Sequence, residues 1–255
     1  MTAGADSPGP SLDGVLFDID DTLVDTKGAF AVALDAVRVA YLPHLPAGGT
    51  AELLESWRAD AGGHYRAYTR GETTATAQRM ARANALHAEF GGPPLDDAGF
   101  AAWDAVFESG FEAAWAAHDD ARPVLDSLAA TGLRIGALSN ARTAYQTGKL
   151  RATGLADVPV LVGVDTLGVG KPAPEVFLEA CRRLGTAPSR TAYVGDELDI
   201  DALAAARVGL VGVWIDRPGA RRAEVAPAEQ QEAARAGVRV IASLRELLGH
   251  LGLST

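Results

Sequence analysis

The sequence predicts an α/β protein: a Rossmann-like, doubly wound parallel sheet with an all-α domain inserted after its first strand. Three observations point there. From about residue 121 to 251, short apolar runs alternate with helical segments, the pattern of a parallel sheet covered on both faces. The run Val15-Leu16-Phe17 is apolar throughout, as a strand buried on both faces is, and extends the same sheet. Between these two parts, residues 26 to 117 carry helical periodicity and no convincing strand.

Taken in order, residues 1–11 are mostly Gly, Pro, Ser and Ala with little to bury, so a disordered tail is expected. The first strand runs from about Val15 to Asp18, bounded by Gly14. After Thr26, the residues Phe30, Leu34, Val37 and Tyr41 share one helical face, and Pro43 stops that helix. Further helices are expected near 50–69, 73–90 and 96–117, broken at Gly62-Gly63, Gly71 and Gly91-Gly92-Pro93-Pro94.

A helix carrying Val124, Leu125 and Leu128 closes at Gly132, and Leu133 to Leu138 forms the next strand. A helix near 142–153 leads to a strand at Pro159–Gly163, after which Lys171 sits in a Gly-rich loop. Pro174 opens the next helix, where proline fits the first helical position, and Gly185 ends it. A strand at Ala192–Val194, a helix around 199–208, a strand at Leu210–Ile215, then Val238–Ile241 and Leu244–Leu251 complete the alternation. The expected division is an α/β domain of residues 12–25 and 118–255 and a helical domain of residues 26–117.

Composition narrows the function. Hydrophobic residues make up 48% of the 255 and charged ones 22%, ordinary for a globular protein. The net charge of −10 argues against a nucleic-acid or anionic-membrane partner. Cys181 is the single cysteine, which excludes an internal disulfide and fits a reducing compartment. It lies in the apolar stripe Val176, Phe177, Ala180, Cys181 and Leu184, where core packing explains it. No apolar run reaches the ~18 residues of a membrane span, and no basic start precedes an apolar stretch, so a cytoplasmic protein is expected. Of 23 basic residues only Lys27, Lys149 and Lys171 are lysines. Where arginine is the default, a lysine at a tight position hints at a need for a compact ammonium.

The chemistry concentrates where the first strand ends, in Asp18, Asp20 and Asp21, with Asp25 close behind. A solvated acidic turn rarely follows a continuous apolar run. Buried like charges need a cation or a shared proton to offset their repulsion. Three more polar clusters follow predicted strands: Ser139-Asn140, Lys171, and Asp196 with Asp199 and Asp201. Parallel strands place all four at one edge of the sheet, the edge at which such folds bind ligands. Carboxylates with no histidine or cysteine beside them favour a hard cation, and Mg²⁺ is the usual one beside phosphate. Ser139 and the amides after it can donate to phosphate oxygens, and Lys171 can neutralise developing charge.

The motifs Asp18-Ile19-Asp20-Asp21-Thr22, Ser139-Asn140, Gly170-Lys171-Pro172 and Gly195-Asp196-Glu197-Leu198-Asp199-Ile200-Asp201 resemble, in that order, the four motifs of the haloacid dehalogenase superfamily. The resemblance covers residues 12–251, and the helical insertion resembles a cap placed between the first and second motifs. It implies that Asp18 is the nucleophile that takes a phosphoryl group. Asp20 would protonate the leaving oxygen and later activate water. Ser139, Asn140 (through its backbone) and Lys171 would hold the phosphate. Mg²⁺ would be held by Asp18, the backbone carbonyl of Asp20, and Asp196, with Asp201 behind them. Asp199 and Glu197 read as solvated charges, Asp21 and Asp25 as structural, and Thr22 as a turn residue.

Founding members of the superfamily, which expel halide, lack a carboxylate two residues after the nucleophile. An alkoxide needs a proton that halide does not, so Asp20 favours phosphoric monoester hydrolysis of a small phosphorylated metabolite. A sugar-phosphate mutase uses the same residues and is the alternative. A catalytically silent binding protein on the same scaffold would usually have lost a nucleophile or metal ligand, and none is missing here. The bases Arg58, His64, Arg66, Arg70, Arg79 and Arg82 of the insertion are candidates to read the rest of the substrate, although helix-surface arginines are usually solvated.

Two other signals carry no chemistry. Gly168-Val169-Gly170-Lys171 lacks the Ser/Thr of a nucleotide-binding loop, because Pro172 stands in its place. The histidines His44, His64, His87, His118 and His250 show no ligand spacing.

Overall fold

A computed structural model describes residues 12–221 and 224–253; the expected N-terminal tail, residues 1–11, lies outside them. Six strands form one sheet: β1 (Gly14–Phe17), β2 (Arg134–Leu138), β3 (Val160–Val162), β4 (Thr191–Gly195), β5 (Val211–Ile215) and β6 (Arg239–Ile241). Their spatial order is β3-β2-β1-β4-β5-β6, and every pairing is parallel. The sheet grows outward from β1 on both sides, so its central strand ends where the order reverses.

Alternation along each strand assigns the two faces. Val15 and Phe17 join Ala192, Val194, Val213 and the helix residues Val124, Leu125 and Leu128 in one apolar layer. Leu16 and Tyr193 point the other way, into a layer with Val176, Phe177, Cys181 and Leu138. Cys181 is therefore buried packing, as expected.

Between β1 and β2 the chain forms α1 (Thr26–Tyr41), α2 (Thr50–Ala59), α3 (His64–Thr69), α4 (Ala75–Phe90), α5 (Asp97–Ala113) and α6 (Ala121–Ala130). The first five have an apolar core of their own. Leu34, Val37 and Leu53 pack in it with Trp57, Trp103, Phe107 and Phe111. The α5 aromatics Phe100, Trp103, Phe107 and Phe111 recur on one helical stripe, and the rings of Trp103 and Phe107 stack 5.1 Å apart. Gly110 lets α1 and α5 meet, since a Cβ there would lie 3.0 Å from Ala33 Cα. Side chains start these helices where free amides need acceptors: Asp25 accepts from Gly28 N (2.8 Å), Thr74 from Ala77 N and Asp96 from Gly99 N.

The two chain crossings between sheet and insertion lie side by side. Asp25 N donates to Ala116 O (2.9 Å) and His118 N to Leu23 O (2.9 Å). After β2 come α7 (Thr143–Ala152), α8 (Val164–Leu167), α9 (Pro174–Leu184), α10 (Leu203–Arg207), α11 (Pro227–Arg235) and α12 (Leu247–His250).

The break expected at Gly62-Gly63 divides the 50–69 stretch into α2 and α3, and Asp60 just before it takes a left-handed conformation (φ 44°). Two features differ from the sequence expectation. The helix expected around 199–208 begins as a π-helical turn over Leu198–Ala202. Helix α11 was not foreseen: Ala233 is its one buried residue, so it carries no apolar stripe to read.

Candidate active site

At the carboxyl edge of the sheet lies a pocket of about 120 Å³. Asp18, Asp20, Ser139, Asn140, Lys171, Asp196 and Asp201 all line it, so the seven residues singled out in the sequence meet in one place. Register explains the meeting. Phe17 stands level with Ala137 on β2 and Val194 on β4, so the residues just beyond all three come together. Arg58, Tyr65, Arg66 and Thr69 from the helical insertion close the opposite wall.

Asp18 is fixed through its backbone, whose N–H donates to Val194 O (2.8 Å). The residue is 5% exposed, and Oδ1 accepts from Lys171 Nζ at 2.6 Å. Burial pushes Asp18 up to about 7, against the pull of the Lys171 ammonium. Lys171 Nζ also donates to Asp201 Oδ1 (2.6 Å) and meets the Tyr193 hydroxyl at 3.0 Å. Burial alone would lower its pKa, but the Asp18 and Asp201 carboxylates hold it well above the usual lysine value. Lys171 is a fixed ammonium.

The Lys171 backbone is held as firmly as its side chain. Asn140 Oδ1 accepts from Lys171 N (2.6 Å), and Asn140 Nδ2 donates to Lys171 O (3.0 Å). The Asn140 side chain is thus used to position the lysine. Asp201 is pinned from behind, its Oδ2 accepting from Glu197 N at 2.9 Å. Gly195 makes room for it, since a Cβ there would come within 2.4 Å of the Asp201 carboxyl carbon.

Asp20 occupies a different environment two residues from Asp18. Its Oδ1 accepts from Thr26 Oγ1 (2.7 Å) and Lys149 Nζ (2.5 Å), and its Oδ2 from Gln146 Nε2 (2.6 Å). Burial works to raise its pKa, but the charge of Lys149 and these hydrogen bonds outweigh it and hold Asp20 at about 2. Gln146 Nε2 also reaches Ser139 Oγ (2.8 Å), which links the phosphate-binding candidate to the Asp20 clamp.

Oxygens of Asp18, Asp196 and Asp201 lie within 4.8 Å of one another. Three carboxylates with no nitrogen or sulfur donor suit a hard cation such as Mg²⁺. Asp196 is placed by its backbone, whose carbonyl accepts from Trp214 Nε1 at 2.9 Å.

Sequence reasoning missed Thr26, Gln146, Lys149 and Tyr193. Of the six bases proposed to read the substrate, Arg58 and Arg66 line this pocket. Arg58, Arg79 and Arg82 line an adjoining chamber, and His64 and Arg70 line neither. Arg58 also ties the insertion to the sheet domain, donating to Asp21 Oδ2 (2.7 Å) and Ala220 O (2.5 Å). Asp199 pairs with Arg66 at the exposed rim, 3.4 Å away.

Residues 12–209 match the sequence model of the haloacid dehalogenase-like hydrolases. The chain belongs to that family. Curated relatives that the chain matches are named as phosphatases, and the chain is a phosphatase of the haloacid dehalogenase type. It is 30% identical over 211 residues to a phosphoglycolate phosphatase of Escherichia coli O157:H7, across 78% of this chain and 80% of that one. It is 39% identical over 101 residues to a glyceraldehyde 3-phosphate phosphatase of Methanopyrus kandleri, a match spanning 39% of this chain and 43% of the relative. Among solved structures, a haloacid dehalogenase-type hydrolase of Bacillus subtilis shares the fold. It has a TM-score of 0.74 and 24% identity, over 95% of this chain and all of that one.

Proposed function

We propose that the protein is a Mg²⁺-dependent phosphoric monoester hydrolase, acting on a small phosphorylated metabolite through an aspartyl-phosphate on Asp18. The carrying observation is the separation of two neighbouring carboxylates. Asp18 faces Lys171 and the acidic cluster, whereas Asp20 is clamped by Thr26, Gln146 and Lys149. Asp18 stands with Ser139 and Lys171 at the phosphate-binding end, whereas Asp20 also lines the adjoining chamber, on the side where a leaving group would lie.

On this reading an Asp18 oxygen attacks phosphorus, and Lys171, Ser139 and the amides after Ser139 hold the phosphoryl oxygens. Like charge on the arriving phosphate raises the pKa of Asp20, so that it can carry a proton to the leaving oxygen. Asp20, again a carboxylate, then takes a proton from the water that cleaves the aspartyl-phosphate. Asp18, Asp196 and the backbone carbonyl of Asp20 would hold Mg²⁺, with Asp201 behind them keeping Lys171 in place. When bound, the ion supplies positive charge that offsets repulsion between the carboxylates and phosphate.

Residues 26–117 act as a cap that closes over the reacting group and excludes water. The relatives named for phosphoglycolate and glyceraldehyde 3-phosphate support a small phosphorylated substrate. No helix among the described residues is long and apolar enough to cross a membrane. With a single buried cysteine, that is in keeping with a cytoplasmic setting.

Phosphate release with Mg²⁺, and in excess chelator, tests the proposal. Chelator should abolish release, and Asp196→Asn should weaken Mg²⁺ binding by ~10-fold or more with little change in the metal-free unfolding midpoint. Undiminished release in chelator would refute the metal requirement.

A further inference from the structure

A second cavity, also about 120 Å³, adjoins the phosphate-binding end. The two share Asp20, Arg58, Asp60 and Tyr65 in their walls, so a substrate with its phosphorus at Asp18 extends past Asp20 into this chamber. Its walls are aromatic: Phe30, Trp57, Tyr65, Phe107, Phe111 and Tyr145. Phe30 stacks on Phe111 with centroids 4.6 Å apart and meets Trp57 edge-on at 6.2 Å.

Four cations line the same chamber, and each already has a carboxylate. Arg58 pairs with Asp21 (2.7 Å), Arg79 with Asp104 (3.0 Å), Arg82 with Asp60 (3.6 Å) and Lys149 with Asp20 (2.5 Å). A short anionic alcohol such as glycolate would bring a carboxylate into a site whose positive charge is already matched. Two buried polar atoms of the lining, Gln78 Oε1 and Trp57 Nε1, have no hydrogen-bond partner among the described residues. Such atoms are costly unless something completes them. The volume is close to that of a cavity that takes one benzene-sized ring, on the order of 150 Å³.

We infer that this chamber selects monophosphate esters whose alcohol carries one planar, uncharged ring, with polar ring atoms bonding to Gln78 and Trp57, over short carboxylated alcohols. The inference rests on the phosphatase reading and specifies the substrate class for that site.

The test compares benzyl phosphate, cyclohexylmethyl phosphate and 2-phosphoglycolate on the full chain with Mg²⁺. Benzyl phosphate should exceed 2-phosphoglycolate in kcat/KM by about 10-fold or more, with cyclohexylmethyl phosphate below it. Phe30→Leu keeps apolar volume but removes a ring, and should cut the benzyl-to-glycolate ratio by about 3- to 10-fold. A ratio is insensitive to any fraction of the variant that fails to fold. Equal rates for benzyl and cyclohexylmethyl esters, or a preference for 2-phosphoglycolate, would overturn the inference.

Calorimetric titration with benzylphosphonate and phosphonoacetate, which cannot be hydrolysed, separates this inference from the reading beneath it. If no ester is cleaved, the phosphatase reading falls. Tighter binding of benzylphosphonate would still support the chamber's selectivity, and equal or weaker binding would refute it.

Discussion

The Lys149 ammonium lies 2.5 Å from the Asp20 carboxylate, although 129 residues separate them in the chain. The lysine is 2% exposed and is surrounded on its other sides by the rings of Phe111, Tyr145 and Trp115, 5.3, 5.4 and 5.7 Å from Nζ. Two of these rings come from the insertion, or its return crossing, and one from the sheet domain. The ion pair therefore sits at the seam between the helical insertion and the α/β core, within the candidate active site.

Removing the lysine should leave Asp20 with an unmatched charge. Loss of one partner of a buried pair typically costs 3–5 kcal/mol. The Asp20 side chain is 19% exposed and retains Thr26 and Gln146, so Lys149→Met should cost less, about 2 kcal/mol. Adding Asp20→Asn should restore part of it, because a neutral amide needs no cation. Urea unfolding of the two single variants and the double variant measures this, with a coupling of ~1 kcal/mol or more expected. Additive losses would mean that the pair contributes no mutual stabilisation.

Asp120 should give acid sensitivity away from the site. Burial acts to raise its pKa, but two hydrogen bonds from Arg217 (both 2.8 Å), with Ser243 Oγ and Leu244 N, hold it at about 2. A carboxyl depressed below its ordinary 3.8 stabilises the fold above that value and loses the contribution as pH falls from about 4 to 2. At neutral pH the contribution is about 2 kcal/mol. Unfolding free energies at pH 7 and pH 2.5 should show Asp120→Asn costing about that much at pH 7 and less at pH 2.5. A cost independent of pH would rule out the Arg217 pairing as its source.

Lys171→Arg should not restore activity to a Lys171-deficient protein. The ammonium fits among Asp18 Oδ1, Asp201 Oδ1 and the Tyr193 hydroxyl at 2.6, 2.6 and 3.0 Å, and it is 3% exposed. A planar guanidinium is larger and directs its donors differently, so it would displace these partners. Turnover is expected to fall by ~10²-fold or more, the scale of losing one oriented charge stabiliser. Near wild-type turnover in the arginine variant would show that a compact charge is not required there.

The sheet was legible because buried parallel strands write continuous apolar runs, as Val15-Leu16-Phe17 and Leu210–Ile215 do. The site was legible where its residues directly follow those runs: Asp18, Ser139, Asn140 and Asp196 meet in the structure, with Asp201 a few residues further on. Lys171 was legible from its motif. The Asp20 clamp was not legible, since Gln146 and Lys149 lie on α7, one helical turn apart, with no strand end to mark them. Lys149 did leave a trace, as one of three lysines in a chain that otherwise uses arginine. Helix α11 and the π-helical turn left none, because the first buries one alanine and the second depends on local packing.

The central claim is that Asp18 becomes phosphorylated and Asp20 moves the proton. Rapid-quench kinetics on an alkyl and an activated aryl phosphate tests it most directly, with acid trapping of protein-bound phosphate. The wild-type chain should trap phosphate on the peptide containing Asp18, and Asp18→Asn should neither trap phosphate nor turn over. Asp20→Asn should slow formation of the phosphorylated protein by ~10²-fold or more for the alkyl ester and far less for the aryl ester, whose phenolate leaves without a proton. Breakdown should slow for both. Turnover with no trapped intermediate, or undiminished turnover by Asp18→Asn, would contradict the account.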